Sequence, residues 1–254
     1  MMSDVKIVTA AVLVIGNEIL SGRTKDLNLG YLASGLTAIG IRLVEGRFIP
    51  DVEATIVAAV NELRAKYDYV FTTGGIGPTH DDITAASVAK AFGAKLILHP
   101  VAARLLTQHY GAENLTEARM RMAHTPEGAT LIDNPVSVAP GFQIGNVFVL
   151  AGVPRICQAM FDGLKGRLQG GDPVLSRTVS GYIGEGVIAK DLGLLQDRHP
   201  ALEIGSYPFF RQGKFGASFV IRGTDQAEID QAATELHGII HNLGADPIEG
   251  EPAV

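Results

Sequence analysis

Cysteine and tryptophan are nearly absent: Cys157 is the one thiol among 254 residues, tryptophan does not occur, and aromatic residues make up 6%. A lone thiol can neither pair within the chain nor build a cysteine-rich metal site, so disulfide scaffolds are excluded and a reducing compartment, the cytoplasm, is expected. Cys157 falls near the start of a predicted helix, where a thiol is either activated or a small buried filler. No apolar run reaches the roughly 18 residues that span a bilayer, and Met1-Met2-Ser3-Asp4 is acidic where a signal peptide is basic. No membrane partner is expected. Basic charge is also scarce, with 21 Lys+Arg against 27 Asp+Glu. The deficit is uneven: residues 1–171 hold 15 of each sign, whereas residues 172–254 hold 6 basic and 12 acidic. An acidic second part repels a phosphate backbone, so nucleic acid is not an expected partner.

Against these absences stand 30 glycines and a regular alternation of apolar patterns. Residues 7–15 form a near-continuous β-branched run ended by Gly16, which suits a strand buried on both faces of a parallel sheet. Further strands are predicted at residues 42–49, 69–73 and 147–151. Helices are predicted at residues 27–39, 51–67, 82–92 and 154–168, with Asp51 and Asp82 as candidate N-caps and Gly93 as a C-cap. Alternating strand and helix at this spacing means βαβ units. Gly170-Gly171-Asp172-Pro173 supports neither element and is the expected linker between a domain at residues 1–171 and a second at 172–254. The second reads β-α-β-β-α, a small α+β sandwich whose last helix opens on Asp225 and Glu228 at capping-box spacing and stops at Gly244.

Ligands of open parallel sheets collect outside the carboxyl ends of the strands. Four segments should meet there: residues 16–24, Pro50-Asp51, residues 74–82 and residues 152–155. The third, Thr72-Thr73-Gly74-Gly75-Ile76-Gly77-Pro78-Thr79-His80-Asp81-Asp82, matches neither the P-loop nor the dinucleotide fingerprint. Its glycines still let backbone N–H groups converge on an anion, its threonines offer hydroxyls, and the following helix adds its positive end. Asp81 and Asp82 would repel a phosphate unless a cation lies between, and Asp51 or Glu18 on neighbouring loops could share a Mg²⁺. Each acid also has a plain reading: Asp82 and Asp51 as helix caps, Glu18 as a solvated loop acid. His80 is equally a solvated loop histidine, and the other histidines are expected to build no zinc site. Gly181-Tyr182-Ile183-Gly184 spells the G-x-x-G of KH loops, but it follows a strand and sits in the acidic part.

The residues Gly16-Asn17-Glu18-Ile19-Leu20-Ser21-Gly22, Asp26-x-Asn28, Pro50-Asp51 and Thr72 to Thr84 closely resemble the molybdopterin-binding family of MoaB and Mog, in the version found at the N-terminus of CinA proteins. The domain of FAD synthase that is like it is a related case, and residues 172–254 resemble the KH-like domain of CinA proteins. The resemblance implies an α/β protein: a three-layer α/β/α domain followed by a small α+β domain, usually in a homo-oligomer. It implies further that the Gly-rich loop holds a pterin phosphate or nucleotide pyrophosphate and that Asp51 and Asp82 are functional acids. The ligand-binding set it suggests is Asn17, Asn28, Thr72, Thr73, Gly74, Gly75, Gly77, Pro78, Thr79, Gly152 and Pro154. Two segments depart from the family pattern: Leu150-Ala151-Gly152-Val153-Pro154 has alanine for proline, with Ile156 at a position often acidic, and residues 137 and 138 are Ser and Val where Gly and Thr are usual.

The leading expectation is therefore a hydrolase of ADP-ribose or FAD dependent on Mg²⁺ or Co²⁺, with potassium as a further candidate ion. Asp82 and Asp51 would hold the metal, and Glu18 or Asp81 would position the water. The alternatives are a molybdopterin-binding or adenylyl-transfer protein of cofactor biosynthesis and a non-catalytic nucleotide-binding protein. The nicotinamide-mononucleotide deamidase domain of long CinA proteins is not expected in these residues.

Overall fold

The computed structural model describes residues 6–111, 113–211 and 213–252. They fall into two compact units, divided between Gly171 and Asp172.

The first unit runs β1 (Val8–Ile15), α1 (Asn17–Leu20), α2 (Asn28–Thr37), β2 (Ile41–Ile49), α3 (Glu53–Lys66), β3 (Tyr69–Thr73) and α4 (Thr84–Ala91). It continues through β4 (Leu96–Leu98), α5 (Pro100–Tyr110), α6 (Glu117–Arg121), β5 (His124–Pro126), β6 (Thr130–Ile132), β7 (Gly141–Ile144), β8 (Val147–Leu150) and α7 (Pro154–Leu164). Its main sheet has the order β2-β1-β3-β8-β7-β6. The first four strands of that order are parallel and the last two antiparallel.

Side-chain alternation explains the layers, because successive residues of a strand face opposite sides. Val8, Ala10, Val12 and Val14 of β1 pack with Leu32 and Leu36 of α2 and with Cys157, Met160 and Phe161 of α7. The intervening Ala11, Leu13 and Ile15 pack with Ile56, Val60 and Leu63 of α3 and Val88 of α4. Helices thus cover both faces, the three-layer α/β/α arrangement, and β1 is apolar throughout because neither face meets water. Cys157 is one of these core side chains, 1% exposed, and burial pushes its thiol up to about 12, with Asp26 adding to the rise. It is a filler.

Two capping expectations change. Asp51 does not cap α3, whose N-cap is Val52 without a side-chain bond, and Asp82 does not cap α4, whose N-cap is Ile83. Gly170-Gly171 lies in neither helix nor strand at the division between the units, and it is closely packed besides: a Cβ at Gly170 would lie 1.7 Å from the Ile39 carbonyl oxygen and one at Gly171 2.1 Å from that of Lys6. The glycines are there because backbone packs on backbone.

The second unit is β9 (Leu175–Gly181), α8 (Glu185–Arg198), β10 (Glu203–Arg211), β11 (Lys214–Gly223), α9 (Gln226–Asn242) and β12 (Ile248–Glu249). Its antiparallel sheet, ordered β10-β11-β9-β12, packs Val179, Ala217, Phe219 and Ile221 against Ile188 and Leu195 of α8 and Ile229, Leu236 and Ile240 of α9. Asp225 caps α9, accepting from the Ala227 amide at 2.9 Å and the Glu228 amide at 3.4 Å. The strand β12 completes this α+β sandwich beyond the predicted β-α-β-β-α order.

Candidate functional site

The carboxyl ends of β1, β2, β3 and β8 lie side by side, and the loops leaving them are fastened to one another. The Gly16 amide donates to the Ile49 carbonyl at 3.2 Å, and the Gly74 amide to that of Leu150 at 3.2 Å. The Asn17 amide donates to Asp51 Oδ2 at 2.8 Å, which fixes the short helix α1 carrying Glu18. Asn28 Nδ2 donates to the Gly152 carbonyl at 2.8 Å.

The Gly-rich loop is shaped by close approach. Gly74 has φ +103, and a Cβ there would sit 2.1 Å from the Ile15 carbonyl oxygen; Gly75 has φ +69, with the Thr84 hydroxyl 2.1 Å from where its Cβ would be. Both the left-handed backbone and the contacts require glycine. Asp82 stabilises the far side of the loop, its Oδ2 accepting from the Thr79 amide at 2.7 Å and the Thr79 hydroxyl at 2.5 Å. Thr79 also serves Asp81, whose carboxyl it holds below the usual carboxylate range. Its one hydroxyl proton reaches one carboxylate at a time.

These loops enclose a cavity of about 450 Å³, within the size range of small-molecule sites. Of the residues expected in a site, Glu18, Gly74, Gly75, Gly77, Pro78, Asp82, Gly152 and Pro154 line it. Others stand behind it. Asp51 and Asn17 hold each other, Asn28 braces Gly152, and Thr79 braces Asp82. Thr72 and Thr73 are buried in β3 beneath the helices, 0% and 1% exposed, so their hydroxyls do not reach the cavity. Asp81 is solvated, with 62% of its side chain exposed, and His80 is more so at 94%. Of the acids expected to hold a metal, Asp82 lines the cavity together with Glu18, while Asp51 does not line it and accepts from the Asn17 amide.

Met122, Asn134, Ser137 and Ile156 also line the cavity without having been singled out for it, as does Thr24 at the end of the expected segment 16–24. Asn134 organises one wall completely. Its Nδ2 donates to the Ser137 hydroxyl at 2.7 Å and the Ala139 carbonyl at 2.8 Å, and its Oδ1 accepts the amides of Val136 and Ser137 at 3.0 Å. The turn forces Val138 to φ 67, a left-handed position that a β-branched residue rarely takes. The Asn-Pro dipeptide was a visible turn signal, whereas Met122 carried none.

Among the described residues no three His, Cys, Asp or Glu side chains are grouped to share an ion. Glu18 and Asp82 nevertheless suit Mg²⁺, which is commonly bound by one or two carboxylates plus phosphate oxygens of the ligand. The zinc spacing H-x-x-x-H does occur, at His237 and His241 on α9, but His237 Nε2 lies 2.7 Å from Glu249 Oε1 and the described residues form no metal-binding group around the pair.

The family model described as "Probable molybdopterin binding domain" matches residues 11–170. The chain belongs to the molybdopterin-binding domain family. Within it the chain is of the CinA type. It is 33% identical to the CinA protein of Thermoplasma acidophilum, a solved structure described as of unknown function, with a TM-score of 0.60 over 63% of this chain and 98% of that one. A "CinA-like protein" of Desulfosudis oleivorans is 38% identical over 64% of this chain and 42% of its own length. A protein of Pyrobaculum calidifontis is 42% identical over 61% of this chain and 62% of its own length, and one of Archaeoglobus fulgidus 32% identical over 91% and 97%. The chain thus spans less than two thirds of some curated relatives. A second family model, "FAD synthase, middle domain", matches residues 173–245 of this CinA-type chain. No described helix is long and apolar enough to cross a membrane.

Proposed function

We propose that this CinA-type protein hydrolyses nucleotide pyrophosphates of the ADP-ribose or FAD type with the help of a divalent metal. The observation that carries the reading is the cavity itself, in which the Gly74–Gly77 loop faces Glu18 and Asp82. The loop amides would bind the pyrophosphate, and they are held in place before a ligand arrives by Gly74, Gly75 and the Asp82–Thr79 bonds. Such fixed donors stabilise charge that develops on phosphoryl oxygens without reorganising. Asp82 and Glu18 would hold Mg²⁺ or Co²⁺, with potassium as a further candidate, and the ion would supply charge neutralisation on the phosphoryl group. Glu18 also orients the water and accepts its proton as oxygen attacks phosphorus. The P–O–P bridge breaks, releasing AMP and ribose 5-phosphate from ADP-ribose, or AMP and FMN from FAD. Asp51 positions Glu18 through the Asn17 amide.

The match of the second unit to the FAD synthase middle domain favours the flavin nucleotide as substrate. The match of the first to a molybdopterin-binding domain favours a second reading, in which a pterin phosphate occupies the cavity and is bound or adenylylated. The first reading also carries a homo-oligomer working in the cytoplasm. Incubation with ADP-ribose, FAD and ATP plus a pterin, each with Mg²⁺ or Co²⁺, separates these by chromatography. AMP from either dinucleotide supports hydrolysis, adenylylated pterin supports the second reading, and the absence of AMP sinks the first.

A further inference from the structure

The cavity is short of positive charge. Among the described residues its walls carry two carboxylates, Glu18 and Asp82, and no Lys, Arg or His side chain, although the function proposed above places a pyrophosphate in it. Backbone amides contribute partial charges, which leaves the repulsion from two acids poorly offset when no metal is bound.

A small adjoining cleft of about 30 Å³ is lined by a cationic side chain, Arg121. It shares Ile76, Gly77, Asp82 and Met122 with the main cavity, and Arg121 and His124 also line it. The cleft has room for little more than a water, so it is a contact between a loop and a cationic side chain and not a second ligand pocket. Arg121 is exposed and, among the described residues, its guanidinium has no hydrogen bond or ion pair. Arg119, two residues earlier, is committed to the Asn114 carbonyl and lies over the Tyr110 ring. The chain around Arg121 is nonetheless fixed, because Ala123 is fully buried with Ala102 and Leu106, and Met120 and Met122 pack on the same cluster. A firmly rooted backbone thus presents an uncommitted guanidinium beside the anion loop. Guanidinium donors match phosphoryl oxygens and remain charged at any physiological pH.

We propose that Arg121 is a further binding residue of this site, donating to the phosphoryl group that the Gly74–Gly77 loop holds and supplying the positive charge the cavity wall lacks. The assignment rests on the pyrophosphate reading. Isothermal titration of inorganic pyrophosphate and of ADP-ribose, with Mg²⁺ and separately with EDTA, tests it on wild type, Arg121→Met, Arg121→Lys and Arg42→Met. Arg42 lies at the amino end of β2, so its substitution removes the same charge away from the site. Arg121→Met is expected to bind both probes about tenfold more weakly or worse wherever wild type binds, as loss of a charge-assisted bond implies. Arg121→Lys should fall between them, and Arg42→Met within about twofold of wild type. Unchanged melting temperatures would show that folding is not responsible. Wild-type affinity in Arg121→Met, or equal losses in Arg121→Met and Arg42→Met, overturns the role of Arg121 and leaves the pyrophosphate reading standing. If wild type binds neither probe under either condition, the pyrophosphate reading itself fails and the inference falls with it.

Discussion

At the scale of single residues, the glycine and aspartate positions of the loop were readable because the chemistry leaves few substitutes. A loop that turns back on its own strand needs left-handed backbone, and Gly74 takes φ +103 against the Ile15 carbonyl. Gly74→Ala is expected to cost about 2 kcal/mol or more, measured by the denaturant midpoint, since strain and a backbone clash add. A change within about 0.5 kcal/mol would mean that the loop relaxes freely. Val138 is the opposite case, a side chain held where glycine would be easier, at φ 67. Val138→Gly should gain about 0.5–1 kcal/mol, the relief of the left-handed penalty less the extra chain entropy, and a lowered melting temperature would show that the Val138 side chain contributes more than it costs. What single residues could not reveal was which acid faces the ligand. Asp51, Asp81, Asp82 and Glu18 look alike in sequence, and only the folded loops separate Glu18 and Asp82, which line the cavity, from Asp51, which supports from behind through Asn17, and Asp81, which is solvated.

At the scale of elements, the parallel strands β1, β3 and β8 were legible because burial on both faces leaves uninterrupted β-branched runs. The stretch from β4 to β7 was not, because its strands have three or four residues each, too short for an alternation to show, and β4 owes its existence to a partner, β5, distant in sequence. The hairpin of β7 and β8 turns on Gly145 and Asn146, with Ile144 opposite Val147, a two-residue loop of the glycine–asparagine type that hairpins favour. Edge strand β2 is tied to α3 by Glu45, which accepts from the Tyr67 hydroxyl at 2.6 Å and Lys66 at 3.2 Å and pairs with Arg47. Those bonds, Tyr67 first, lower the Glu45 carboxyl from 4.5 to about 2. A depressed folded value stabilises the fold above the unfolded carboxyl range and is lost as pH falls through about 2. Glu45→Gln should therefore be less stable than wild type at neutral pH, with the gap closing as urea midpoints are followed from pH 5 toward 2. A constant gap across that range would contradict the assignment.

At the scale of the whole molecule, two units with separate cores divide the charge between them, and the acidic excess belongs to residues 172–254 alone. That balance leaves the first unit neutral overall, so the proposed affinity for an anion would have to come from local geometry: loop amides, Arg121 and an ion that Glu18 and Asp82 would share. The central claim is that this geometry hydrolyses a pyrophosphate. Asp82→Asn tests it most directly, because the amide oxygen still accepts from Thr79 and preserves the loop while the charge facing the cavity is removed. AMP released from ADP-ribose and FAD in the presence of Mg²⁺ or Co²⁺ is to be measured for both proteins at matched melting temperatures. Release by wild type, with loss of about a hundredfold or more in Asp82→Asn, is the expected result. Equal release by the two proteins, or none by wild type, would contradict the account.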